Sequence, residues 1–243
     1  MLKTIGKYFI MLVDMFKSPT KWRIMKNLIF KEIDELIIGS LGIVCFLSFF
    51  IGAVVTIQTA LNLNNPIIPK YLIGFTARQS IILEFSPTFI SIIMAGRMGS
   101  YITSSIGTMR VTEQVDHLGV MGITSLNYLV FPKIRNALTY PFLITISMFI
   151  GIFGGYIAGV YSGYLSSEEF IFGLQDSFIP YHITYAFIKT AVFGFLLATI
   201  PSFYGYYMQG GALEVGKAST QSFVWTSVAI ILVNYILTQI LLS

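Results

Sequence analysis

The stretch from Leu36 to Pro69 reads LIIGSLGIVCFLSFFIGAVVTIQTALNLNNPIIP and carries no charged residue. About 20 apolar residues suffice to cross the hydrocarbon core of a bilayer, so this run predicts a membrane-spanning helix near 38–62. It ends at Asn62-Leu63-Asn64-Asn65-Pro66, which is turn-forming material. Working outward, the same reading predicts a second span over 74–107, interrupted by Glu84 and Arg97. A third lies in the uncharged run from Asn136 to Ser167, a fourth near 184–208 and a fifth near 219–242. Trp225 and several tyrosines fall near the ends of these spans, where interfacial aromatics are common. Composition agrees: 55% of the 243 residues are hydrophobic and 11% are charged, against about 25% charged in a soluble domain. A single water-soluble core of this length could not enclose so much apolar surface. The expectation is an all-α integral membrane protein with about five transmembrane helices, forming one domain over 1–243.

The N-terminus begins with Lys3 and Lys7, but no compact apolar stretch with a small-residue cleavage site follows, so a signal peptide is not indicated. Leu2, Ile5, Phe9, Leu12 and Phe16 recur at helical spacing, while Lys3, Lys7, Asp14 and Lys17 gather on another face. Residues 1–35 are therefore read as an interfacial amphipathic region, and 36–243 as the transmembrane helices. The alternative is an amphipathic helix packed on protein. The formal charge of +4 is not arranged as a nucleic-acid surface; seven of the fifteen Lys and Arg lie within the first 31 residues, beside an anionic leaflet. With the N-terminus in the cytoplasm, the inner side gains those seven, Arg110, Lys133, Arg135 and Lys217. The outer side gains Lys70, Arg78, Lys189 and the acidic loop of Glu168, Glu169 and Asp176. Basic loops stay inside, so a cytoplasmic N-terminus and a periplasmic C-terminus are expected.

The polar stretch Gly107-Thr108-Met109-Arg110-Val111-Thr112-Glu113-Gln114-Val115-Asp116-His117-Leu118-Gly119 lies between spans two and three. As one short helix it places Val111, Val115 and Leu118 on one face and leaves Arg110, Glu113, Gln114, Asp116 and His117 free for a soluble partner. As a solvated connecting loop it does neither. Glu84 lies within a span, where a carboxylate must be paired, protonated or hydrated. Either it bonds a neighbouring helix or it lines a polar path. Gly151, Gly155, Gly159 and Gly163 form a ladder of small residues at four-residue spacing, the signature of close helix approach.

Glu84-Phe85-Ser86-Pro87, Ala95-Gly96-Arg97-Met98-Gly99 and Gly107 through Asp116 closely resemble the MlaE (YrbE) family of ABC-transporter permeases. Tyr128-Leu129-Val130-Phe131-Pro132 and Gly210-Gly211-Ala212-Leu213-Glu214-Val215-Gly216-Lys217-Ala218-Ser219-Thr220 continue the likeness. It runs from about residue 36 to the end. What it implies is a permease domain in the bacterial inner membrane that moves phospholipid or a related lipid between inner and outer membranes. The implied assembly is a homodimer on a cytoplasmic ABC ATPase, with a periplasmic MCE-domain protein and a STAS-domain protein as further partners. It also implies coupling through Arg110, Glu113, Gln114, Asp116 and His117, and a lipid pathway past Glu84, Pro87 and Arg97. Two positions depart from the family: Leu83 stands where an arginine is usual and Asn234 where many members have aspartate, each removing an intramembrane charge.

Catalytic chemistry finds no support. Gly211 to Ala218 nearly spells a phosphate-binding loop, but Ala218 replaces the magnesium-binding hydroxyl and no buried strand precedes it. His117 and His182 have no metal-ligand spacing, no catalytic triad is evident, and no cofactor is indicated. The single cysteine, Cys45, excludes an intramolecular disulfide and a cysteine zinc cluster and is expected to be buried. A self-sufficient channel or secondary transporter, or a membrane anchor, are the rival classes. The first is expected to carry more intramembrane ionisable residues than Glu84, Arg97 and Lys189, and the second no polar cavity.

Overall fold

The computed structural model describes residues 2–15, 22–63 and 67–242, with side chains for 4–15, 25–63 and 67–242. Phe16, Lys17, the Asn64–Pro66 part of the expected turn, Ser243 and the side chains of Leu2 and Lys3 lie outside the described residues. The regular structure among the described residues is helical: α1 (Leu2–Asp14), α2 (Trp22–Leu36), α3 (Leu41–Asn62), α4 (Tyr71–Ser80), α5 (Ile90–Met94), α6 (Ser100–Val111) and α7 (Gln114–Val120). There follow α8 (Ser125–Ala137), α9 (Tyr140–Tyr161), α10 (Ser167–Gln175), α11 (Tyr181–Tyr207) and α12 (Ala212–Leu242). Five stretches are long and apolar enough to cross a membrane: Met25–Asn62, Tyr71–Val111, Ser125–Tyr161, Tyr181–Tyr207 and Ala212–Leu242. Each matches an expected span, and three of them are much longer. At 1.5 Å per residue the 41 residues of Tyr71–Val111 extend about 60 Å, twice a hydrocarbon core. Trp225, expected at a span end, lies near the middle of α12, because that helix begins at Ala212 and not at 219.

The chain divides into two compact units. The first comprises residues 40–90 and 141–190. Its centre is the approach of α3 to α9. A Cβ on Gly52 would overlap the Gly151 carbonyl, one on Gly154 the Phe49 carbonyl, and one on Gly155 the Thr56 hydroxyl. Ser48 Oγ donates to Ser147 Oγ at 2.7 Å between the same helices. Gly151, Gly155 and Gly159 thus pack within one subunit, whereas Gly163 sits beyond α9 with φ +76° and open space around it. Its role is the left-handed turn that ends the helix. In the same unit α10 packs on α4 through Gly74 and Gly173, around Ala60, Ile73, Leu165 and Phe170. Arg78, assigned above to an outer loop, is 4% exposed: it donates to the carbonyls of Leu174 (2.6 Å) and Asp176 (3.0 Å) and lies over Phe75 and Phe178. Cys45 is only half-buried.

The second unit comprises residues 1–39, 91–140 and 191–243. Here α12 packs on α6, with the Thr103 hydroxyl 2.8 Å from Ser222 Oγ and 3.1 Å from the Pro201 carbonyl. Lys133 on α8 is buried against Glu32 on α2, and Asn136 Nδ2 donates to the Glu32 carbonyl at 2.9 Å. Helix α1 packs by one stripe only: Met11 and Met15 are buried, and the Tyr8 hydroxyl meets Thr199 Oγ1 at 2.7 Å. Ile5, Phe9, Ile10 and Val13 stay more than half exposed. One stripe of the N-terminal helix is thus packed on protein and an apolar one is left open.

Candidate functional site

Glu84 and Lys189 form the buried charged pair of the first unit. Lys189 Nζ lies 2.8 Å from Glu84 Oε1, and donates also to Tyr185 Oη (2.7 Å) and to the Leu83 carbonyl (3.1 Å). The lysine side chain is fully buried, while the glutamate side chain is 39% exposed and is also met by Thr88 Oγ1 at 3.1 Å. Tyr185 stands one helical turn before Lys189 on α11, so the phenol and the ammonium share a face. The sequence counts Lys189 toward the outer side and also places it in the fourth span, near 184–208. The structure places it inside a span, where three acceptors take the three protons of the ammonium. Nothing in the spacing of residues 84 and 189 signals the pairing; the clue available was one acid and one base in separate apolar runs, since an intramembrane charge requires a partner.

The backbone around Glu84 is unusual. Ile81–Phe89 is π-helical, with Pro87 inside it, and Ala95–Gly99, which carries Arg97, is π-helical as well. Proline lacks the N–H that an α-helix would use, and the wider i→i+5 winding is where such interruptions of a helix are absorbed. The two motifs read from the sequence as Glu-Phe-Ser-Pro and Ala-Gly-Arg-Met-Gly coincide with these two segments. Pro87 itself is buried. Arg97 is exposed, and its Nη2 lies 3.1 Å from where a Cβ on Gly39 would stand. Arg97 and Glu84 lie in different compact units.

The polar stretch after span two is helical, but not as one helix. Helix α6 runs to Val111, where the Thr112 hydroxyl donates to the Thr108 carbonyl at 2.9 Å. Glu113 then adopts φ +60°, ψ +9°, and its carbonyl accepts the amides of Asp116 and His117 that begin α7. The left-handed residue breaks the periodicity, so Arg110, Glu113 and Asp116 do not share a helical face as expected. Arg110 Nη1 instead reaches across the break to Asp116 Oδ1 at 2.8 Å. Val115 is buried and holds α7 down, while Val111, expected on the same face, is exposed. Glu113, Gln114, Asp116 and His117 are all exposed, and Arg110 is half-buried.

The glycine-rich stretch before the last span also resolves. Gly210 has φ +114° and makes the turn; from Ala212 onward the chain is α12, with Lys217 paired to Glu214 at 2.7 Å. Gly216 and Lys217 are therefore helical and form no phosphate-cradling loop. Among the described residues no group of three or more His, Cys, Asp or Glu is placed to hold a metal ion.

Comparison with known proteins bears on all of these elements at once. Over 239 residues the chain is 35% identical to a probable ABC transporter permease protein of Rickettsia bellii, covering 98% of this chain and 92% of that protein. It is 28% identical over 241 residues to the intermembrane phospholipid transport system permease protein MlaE of Haemophilus influenzae, again at 98% and 92% coverage. It is also 32% identical to the chloroplastic protein trigalactosyldiacylglycerol 1 of Arabidopsis thaliana, over 82% of this chain and 57% of that one. Residues 29–240 match the family described as Permease MlaE, and the chain is a multi-pass membrane member of that family.

Proposed function

We propose that this chain is the noncatalytic membrane subunit of an ABC transporter of the bacterial inner membrane. It gives phospholipid or a related lipid a route between inner and outer membranes, and so maintains the lipid asymmetry of the outer membrane, while a separate cytoplasmic ATPase supplies the energy. The observation that carries this reading is the Glu84–Lys189 pair: a charged site on a π-helical span, one partner sealed and the other open. Such a site offers an ionic headgroup a polar foothold among apolar helices. The full-length likeness to a permease of intermembrane phospholipid transport supports it. Pro87 shapes that foothold, and the family resemblance adds Arg97 to the proposed pathway. The departures at Leu83 and Asn234 leave Glu84 and Lys189 as the principal charges of the pathway.

The ATPase docks on α7. Val115 seats the helix, and Arg110, Glu113, Gln114, Asp116 and His117 present the charge pattern that fixes register against a soluble groove. A homodimer, a periplasmic MCE-domain protein and a STAS-domain protein complete the proposed assembly, with the N-terminus cytoplasmic and the C-terminus periplasmic; the family resemblance and the distribution of basic residues support this reading.

The test pairs coupling with stability. Glu113→Lys puts a cation where the docking groove receives an anion, and like charges there can cost several kcal/mol. Co-purified ATPase and its stimulated turnover are expected to fall at least tenfold, while melting temperature in detergent and expression stay unchanged, because the side chain is exposed. Normal coupling in both Glu113→Lys and Arg110→Glu contradicts docking on α7. Mass spectrometry of lipids retained by the complex, against a Glu84→Gln, Lys189→Gln variant, tests the pathway: equal phospholipid retention contradicts it.

A further inference from the structure

Lys7 on α1 and Lys217 on α12 are 210 positions apart in the sequence, yet both line one groove of about 350 Å³. Tyr204 and Tyr207 of α11, Gln209 and Gln221 add hydroxyl and amide donors to its wall. Glu214 is the acid in that wall and takes one proton of Lys217 at 2.7 Å. The lysine is 60% and the glutamate 42% exposed, so this pair is loosely held and two ammonium donors remain free to turn inward. Two cations and one carboxylate line the groove, with Asp14 near enough to act on Tyr207 and the positive end of α12 beside them, so the wall favours an anion.

What sits beside the groove chooses among anions. Ile5, Phe9, Ile10 and Val13 flank Lys7 along α1 and are all more than half exposed. An amphipathic helix with such a stripe lies in a membrane surface with its apolar residues among acyl chains and its basic residues at headgroup level. A molecule with a phosphate at one end and acyl chains at the other would fill both features; a free phosphate would fill only the groove. We propose that the groove between α1, the end of α11 and the start of α12 binds the phosphate of an acidic phospholipid from the surrounding leaflet. This lipid is not cargo. It ties α1 to α12 in an anionic membrane, at residues that Glu84 and Lys189 do not share.

The full chain in nanodiscs tests this. Wild-type protein is expected to melt higher in discs containing phosphatidylglycerol than in pure phosphatidylcholine, and to retain phosphatidylglycerol in native mass spectrometry. Lys7→Gln with Lys217→Gln removes that gain, with retention weakened about fivefold per lysine, while Lys70→Gln, a lysine outside the groove, keeps it. An equal phosphatidylglycerol effect in wild type and double variant overturns the proposal, as does equal loss with Lys70→Gln, which marks diffuse surface charge. Inorganic phosphate added to phosphatidylcholine discs is expected to do nothing; a lysine-dependent gain as large as that from phosphatidylglycerol assigns the groove to a free anion and overturns the lipid. If the double variant expresses poorly, the single Lys7→Gln change, on an exposed side chain, carries the same comparison.

Discussion

At residue scale, Lys189 has no route to water, and its three protons go to Glu84, Tyr185 and the Leu83 carbonyl. Removing the carboxylate leaves a buried ammonium with neutral partners, which for pairs of this kind costs about 3–5 kcal/mol. Removing the lysine is milder, because Glu84 is not sealed as Lys189 is, can be protonated, and keeps the Thr88 hydroxyl as a partner. Glu84→Leu should therefore destabilise the protein more than Lys189→Met. The double variant should be more stable than Glu84→Leu alone, because it no longer buries an unpaired charge. Unfolding in a mild detergent measures the three variants, and strict additivity would show that the two groups do not interact. The need of Glu84 for a partner was legible in the sequence, because an acid in an apolar run demands one. Which group it takes was not: Arg97, 13 residues on in the same span, is about 20 Å away along a helix, and nothing in the sequence says which neighbouring helix supplies the partner. Glu113 failed differently: its left-handed backbone carries no glycine or asparagine to announce it, so the sequence allowed one helix or a plain loop and not a helix broken at Glu113.

At the scale of elements, the α3–α9 contact separates packing from propensity. Gly42 and Gly52 belong to the same helix, but a Cβ on Gly42 meets nothing within 4 Å whereas one on Gly52 collides with backbone. Gly42→Ala should leave stability unchanged or raise it by about 1 kcal/mol, the helical advantage of alanine. Gly52→Ala should force the helices apart and lower the melting temperature sharply. Similar behaviour of the two variants would mean that α3 and α9 do not touch as described. Helix α10 supplies a pH dependence. Ser166 and Glu169 form a capping box, and the Ser166 amide bonded to the Glu169 carboxylate holds that carboxyl below its ordinary value; slight burial opposes this, and the Ser166 hydroxyl and Lys70 assist it. Because the folded value is depressed, the contribution is complete above the ordinary carboxylate range of about 4.3 and is lost as pH falls through the folded value. Amide protection factors at the start of α10, corrected for the slower intrinsic exchange in acid, should fall as pH drops through the folded value in wild type, and Glu169→Gln should abolish that fall. The glycine ladder was legible as a packing stripe, except for Gly163; its partner helix was not, since spacing along one helix says nothing of what it faces.

At the scale of the molecule, the spans were legible because a bilayer demands long apolar runs whatever the tertiary arrangement, and their extensions were not, because α2, α8 and the first turns of α12 are ordinary amphipathic helix. The same distinction bears on orientation. Arg78 and Lys189 were counted as outer loop charges, and both are buried within spans; Lys133, counted inside, is buried against Glu32. Charges held by internal partners do not report on sidedness, because the positive-inside bias acts on lysines and arginines of short loops. With all three set aside, Lys70 remains on one side, against the N-terminal group with Arg110, Arg135 and Lys217 on the other. The asymmetry sharpens, and it supports the proposed orientation, in which α7 faces the cytoplasm. Val120 on α7 and Ile67 between α3 and α4 are 87% and 88% exposed, so a cysteine at either position is open to reagent. In a Cys45→Ser background, a membrane-impermeant maleimide applied to spheroplasts should label Ile67→Cys at once and Val120→Cys only after permeabilisation. The reverse pattern would invert the topology and remove α7 from reach of any cytoplasmic ATPase. Labelling of both positions without permeabilisation would mean that the second stretch, Tyr71–Val111, does not cross the membrane, and that the Glu84–Lys189 pair lies outside it.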